Sequence, residues 1–259
     1  AHTHFFQQQT RMTSAGPDLA RLQKVLDQFE ITIAEANDLV VLMDYNIMII
    51  ADDSGSMTLS AEPAEERQLG KPSLTRWAEL QNTLSAVIDV AACFDPQGVD
   101  VHFLNRTPVR GVQNQSDTRL KQAFQTPPAG ATPLTQMLQR VAKESKLEKG
   151  MLLLVFTDGE PSGGREDFRN ALKQLVKQHN VRVQIMACTA DENVVAWLSE
   201  VDEEFAEVDV TDDYYSERKE VLRAGLAPRF TRGDWCMKAM LGPVSRKYDL
   251  WDERLAKPN

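Results

Sequence analysis

The chain has 259 residues, 42% of them hydrophobic, enough for one large domain or for a domain with extensions. Its formal net charge of −9 and pI near 5.1 argue against a nucleic-acid partner, because phosphates call for a basic surface. The basic residues are interspersed rather than clustered, and no apolar stretch approaches the ~18 residues that span a bilayer, so neither a polybasic membrane patch nor a membrane span is expected.

Residues 1–16 are polar and glutamine-rich and read as a disordered tail. Over 17–43 the pattern turns helical. Leu19, Leu22, Leu26, Phe29, Ile33 and Val40 recur at steps of three, four and seven, with Pro17 suited to a first turn. Such an amphipathic extension either packs on its own domain or serves dimerisation or partner docking. The main domain is expected over 44–250 and a short tail over 251–259.

A strand is predicted from Tyr45 to Ala51, an apolar run of the kind buried on both faces of a parallel sheet. It ends in Asp52-Asp53-Ser54-Gly55-Ser56. Thr58 to Pro72 looks like a charged insertion, either a solvated connector or a gate. Ser73 is the expected cap of a helix whose inner face is Trp77, Leu80, Leu84, Val87, Ile88 and Ala91. Val99 to Leu104 alternates as a half-exposed strand would, with His102 on its polar face, and Val109 to Gln113 reads as its hairpin partner. Asp117 to Phe124 is a short helix, and Pro133 opens a longer one with Leu134, Met137, Leu138 and Val141 facing inward.

Met151 to Phe156 repeats the apolar run and ends in Thr157-Asp158-Gly159. A helix over Arg165–His179, a strand over Val181–Cys188, a helix capped by Asp191 and a strand over Glu207–Val210 follow. Two helices, Tyr214–Gly225 and Gly233–Leu250, complete the order. Strands and helices alternate throughout, which predicts an α/β fold: a Rossmann-like, doubly wound, mostly parallel sheet with helices on both faces. Cys93, Cys188 and Cys236 are too few and too scattered for a disulfide framework, and no C-x-x-C occurs. This favours a reducing, cytoplasmic setting. The first residue is not Met, so a removed leader and an extracellular setting stay open.

Functional loops of open α/β sheets lie past the carboxyl ends of their strands. Asp52, Ser54 and Ser56 leave the first strand at alternate positions, with Gly55 allowing a sharp turn, and oxygen ligands of this kind suit a hard divalent cation. The order D-x-S-x-S, then G-x-T-P at Gly130–Pro133, then T-D-G at Thr157–Gly159 resembles the metal-ion-dependent adhesion site of von Willebrand factor A domains. The resemblance covers roughly residues 44–250. Late stretches such as Leu-Ser-Glu-Val-Asp-Glu-Glu and Met-Leu-Gly-Pro-Val-Ser-Arg-Lys are similar to intracellular members of that family.

The resemblance implies a metal set of Asp52, Ser54, Ser56, Thr132 and Asp158. The ion would be Mg²⁺, with Mn²⁺ or Ca²⁺ as alternatives. It further implies a partner protein that presents an exposed Asp or Glu to an open coordination position, beside the helix N-terminus at Thr132. Asp53 should point away from the ion, and Arg76 and Arg165 lie near the rim. The leading expectation is a cation-dependent protein-interaction module without catalysis. The alternatives are an assembly factor for a separate AAA+ ATPase, since this chain has no Walker A motif, and a metal-dependent hydrolase. Against the hydrolase, Ser54 stands where a haloacid-dehalogenase-type site needs a second Asp. G-x-S-x-G and H-E-x-x-H are absent, and none of the four histidines falls in the three loops.

Overall fold

The computed structural model describes residues 19–61, 74–144, 149–178, 180–189, 192–223, 225 and 227–253. The tail 1–16, the Pro17 helix start, residues 62–72 of the expected insertion, the Ser73 and Asp191 caps and the chain beyond 253 lie outside these residues.

Six strands form one sheet: β1 (Tyr45–Ala51), β2 (Val99–Phe103), β3 (Val109–Val112), β4 (Gly150–Thr157), β5 (Val181–Ala187) and β6 (Val208–Thr211). Their order is β3-β2-β1-β4-β5-β6, and every neighbouring pair is parallel except β2 with β3. The chain therefore winds outward from β1 in one direction and returns to β4 to wind outward in the other. The carboxyl ends of β1 and β4 meet at that reversal, the place where doubly wound sheets form their binding crevice.

Helices cover both faces: α1 (Leu19–Phe29), α2 (Ile33–Asp38), α3 (Arg76–Ala91), α4 (Thr118–Gln125), α5 (Leu134–Glu144), α6 (Arg165–Val176), α7 (Glu192–Glu204), α8 (Tyr214–Arg223), α9 (Arg232–Leu241) and α10 (Arg246–Glu253). Alternation along the strands divides the core. Ile47, Ile49 and Ala51 join Leu152, Leu154 and Phe156 in one layer with α1, α3 and α9. Ile50, Leu153 and Val155 face α5, α6 and α7 on the other side. All eight residues of β4 are buried, as a central strand requires.

Four expectations need correction. The 17–43 extension is not one helix. The chain breaks after Phe29, where Glu30 takes a left-handed backbone conformation (φ 57°), and Thr32 then caps α2 with a reciprocal Glu35 capping box. The break throws Ile33 out of the stripe to 75% exposure, while Leu22, Val25 and Leu26 are buried in the chain's own core. Arg21 adds bonds to the carbonyl oxygens of Ala92 (3.3 Å) and Gln113.

The cap seen on α3 is Thr75, whose hydroxyl accepts from Ala78 N. His102 is buried rather than solvated, because it shares the face of Ile50 and Leu104 that packs under α5. Among the described residues neither ring nitrogen has a hydrogen-bond partner, and burial lowers its pKa. Finally, Gly242 and Pro243 divide the last helix into α9 and α10 through a short 3-10 turn.

Beyond β6, a charged group is enclosed between α8 and α9. Lys238 and Glu217 are both buried, with Nζ 2.8 Å from Oε1. Nearby, burial raises the Asp212 carboxyl to about 7, and Glu217, Glu220 and Asp213 add repulsion. An unfolded Asp titrates near 4, so the fold holds this proton more tightly than the open chain does. That stabilisation is complete below pH ~4 and is lost as pH rises through about 7. Asp212→Asn is therefore expected to gain stability relative to the parent between about pH 5 and pH 8. Melting curves at the two values test this, and a pH-independent difference would contradict it.

Candidate functional site

The register Ala51↔Phe156 brings the ends of β1 and β4 level, and Asp52 N donates to the Phe156 carbonyl (2.9 Å). Asp52 is fully buried directly beyond the strand. Its Oδ1 accepts from Ser54 N (2.9 Å) and its Oδ2 from the Thr157 hydroxyl (2.7 Å). Burial nevertheless raises its pKa to about 6, over the opposing hydrogen bonds from Ser54 and Thr157, and no cation is among its partners.

Ser54 Oγ lies 3.0 Å from Ser56 Oγ, and Ser56 donates to Asp158 Oδ1 (2.7 Å). With its single proton engaged there, Ser56 is the acceptor in the contact with Ser54 and keeps one lone pair available. Four of the five expected residues thus form one connected group drawn from two strand ends 102 positions apart.

Thr132 is placed by its backbone. Gly55 N donates to Gly130 O (3.1 Å) and Ala129 N to Asp53 O (2.8 Å), tying its loop to the β1 loop. Thr132 N donates to Ser162 Oγ (2.9 Å), and its carbonyl accepts from Ser162 N (2.9 Å), tying it to the loop after β4. The Thr132 hydroxyl itself is not hydrogen-bonded to the other four. Gly130 has φ 108°, and a β-carbon there would lie 2.6 Å from Asn105 Oδ1, so this position demands glycine. Gly55 does not: it starts a 3-10 turn, Gly55–Thr58, without positive φ, contrary to the sharp-turn expectation.

Three features were not legible in the motifs. Asp53 points away, as expected, but to a specific partner. Its carboxylate accepts from Asn105 N (2.8 Å) and Arg106 Nε (2.6 Å). The same guanidinium reaches the Ala123, Thr126 and Pro127 carbonyl oxygens and lies over the Trp77 ring, stapling the end of β2 to the Thr132 loop. The second is Arg76, whose Nη1 bonds Asp158 Oδ2 (2.8 Å), so this rim arginine enters the site. Arg165 instead pairs with Glu160. The third is Thr157, whose hydroxyl orients Asp52; its place before the acid in T-D-G is the signal that could have found it.

Cys188 lies behind these loops, its N donating to Thr157 O (2.7 Å). Burial raises its thiol pKa well above the ordinary value, with Asp158, Glu79 and Asp52 adding to the effect. Among the described residues no three His, Cys, Asp or Glu side chains cluster as a metal centre of those types would need. A metal here would have to rest on hydroxyl oxygens and two acids.

No family model matches the chain, and no curated protein matches it. Among solved structures it is similar to the manganese-loaded TRAP protein of Plasmodium vivax, at 16% identity over 68% of this chain and 71% of that one, with a TM-score of 0.44. It is also similar to proximal thread matrix protein 1 of the mussel byssus, at 16% identity over 69% and 46%, TM-score 0.43. A third is a point mutant of the PilB minor pilin of Streptococcus sanguinis, at 12% identity over 82% and 63%, TM-score 0.48. These likenesses are too distant to assign a family or a function. The chain's own geometry defines a doubly wound α/β protein with a polar, hydrogen-bonded three-loop cluster at its switch point. Among the described residues, no helix is long and apolar enough to cross a membrane.

Proposed function

We propose that the chain is a von Willebrand factor A-like binding module that takes up a divalent cation at Asp52, Ser54, Ser56, Thr132 and Asp158. The observation that carries this reading is the pair of serine hydroxyls 3.0 Å apart between two buried carboxylates. The donor set fits a hard dication, which prefers oxygen ligands. Asp52 supports the same reading: its carboxylate is desolvated, and no Lys or Arg is among the groups that offset that burial.

A bound dication would supply an electrophilic position for a carboxylate oxygen of a partner protein. The chain's own residues prepare that position. Ser56, by donating to Asp158, keeps a lone pair unused by its own proton, and Thr157 and Ser54 N hold Asp52 in one orientation. Thr132 stands two residues before α5, where the helix dipole favours an incoming acid. Binding rather than hydrolysis is favoured because Asp52 is fully buried with both oxygens engaged, an anchor and not an exposed nucleophile.

Calorimetric titration with Mg²⁺ or Mn²⁺ is expected to show weak binding, micromolar to millimolar. Asp52→Ala or Asp158→Ala should abolish it while circular dichroism stays native. Unchanged metal binding in either variant would reject the site.

A further inference from the structure

Arg76 is the first residue of α3, and its backbone is tied to the site loop. Arg76 N donates to Leu59 O (2.9 Å), Ala61 N donates to Leu74 O (2.9 Å), and Ser60 bridges to Thr75. Its side chain is only 15% exposed, so the guanidinium is placed at Asp158 and does not wander over the surface. There, among the described residues, it makes one charge-assisted bond, Nη1 to Asp158 Oδ2. Its Nε is buried without a hydrogen-bond partner among those residues. An arginine fork that uses one donor and leaves a buried one unsatisfied is a poor final resting place.

Asp158 is also one of the two acids on which the proposed metal depends. A guanidinium on Asp158 Oδ2 offsets half of the formal negative charge of the two acids and places a like charge beside any incoming dication. We propose that Arg76 is an internal counter-cation: it holds the site closed to metal and must leave Asp158 for a dication to bind. The inference rests on the metal reading above, and it makes Arg76 the residue that sets the site's metal affinity. The buried, unsatisfied Nε gives the arginine a reason to leave, because release into water satisfies all its donors. The tie between Arg76 N and Leu59 O gives the exchange a direct mechanical link to the loop that carries Ser54 and Ser56.

The test is calorimetric titration of the full chain with MnCl₂, for the parent and for Arg76→Met and Arg76→Gln. Methionine keeps much of the packing stem, and glutamine keeps a donor without the charge. Both variants are expected to bind Mn²⁺ about tenfold tighter or more, as removal of a like charge a few ångströms from a dication predicts. Arg76→Lys keeps the charge and should stay close to the parent. Folded Met and Gln variants that bind no tighter than the parent, or more weakly, overturn the inference while leaving the metal site standing. Absence of binding in every form overturns the metal reading and this inference together.

A second readout needs no variant. The Arg76 Nε–H resonance should be protected from solvent exchange in EDTA and lose that protection at saturating Mg²⁺. Protection that persists at saturation shows that the arginine has not left.

Discussion

Replacing Lys238 with Met is expected to destabilise the fold by about 3–5 kcal/mol, the usual result of leaving one member of a buried ion pair without the other. Lys238 on α9 and Glu217 on α8 are 1% and 3% exposed at the side chain, so little water reaches either charge. Lys238 also eases the ionisation of Asp212, which Glu217 opposes, so its loss removes compensating charge from this acidic surrounding. The double replacement Lys238→Met with Glu217→Leu removes both charges and should recover most of the loss, since an apolar pair of similar volume avoids both desolvation costs. Urea unfolding checks both statements through the midpoint at constant slope. A single variant that loses less than ~1 kcal/mol would mean that the pair is solvated or otherwise compensated.

Gly233→Ala is expected to cost about 3 kcal/mol, against the sign that helix propensity alone predicts. Within a helix, Gly to Ala ordinarily gains about 1 kcal/mol. Here a β-carbon would overlap the Phe29 carbonyl oxygen and press on Ile31 at 2.9 Å. The obstructing atom is backbone at the end of α1, so relief requires the helix itself to move, and overpacking of this kind costs about 1–3 kcal/mol or more. The glycine is thus the contact through which α9 seats the N-terminal helices. Equal or greater stability of the alanine variant in chemical denaturation would show that this seat is loose.

Local pattern carried most of the architecture. β1 is observed with the bounds read from its apolar run, and β4, β5 and the hairpin fall within one or two residues of expectation. Runs buried on both faces and helices with a single apolar face leave little freedom in an alternating chain. What escaped depends on partners distant in sequence. Nothing around Asp158 announces that Arg76, 82 positions earlier, will occupy one of its oxygens, and nothing near Asp53 points to Arg106. The break at Glu30 was hidden for a different reason. The apolar spacing continues through it to Ile33, and only the docking of Leu22 and Leu26 onto α3 and α9 shows that the stripe ends there. For the site, the motifs located the three loops and four connected side chains, whereas the Thr132 loop is held by backbone bonds that no side-chain pattern records.

The three thiols carry a practical consequence. Cys93 and Cys236 are buried, and burial pushes the Cys236 thiol up to about 12. Cys188 is held in its neutral form by the same effect and by the acids around it. Maleimides and iodoacetamides attack thiolates, so to such reagents the native chain is almost blank. A single Leu59→Cys change, at a 54% exposed position bonded to the Ser56 loop, would give one fast-reacting handle without first stripping the natural cysteines. A fluorophore or spin label could then report on the three loops from a chain otherwise left intact.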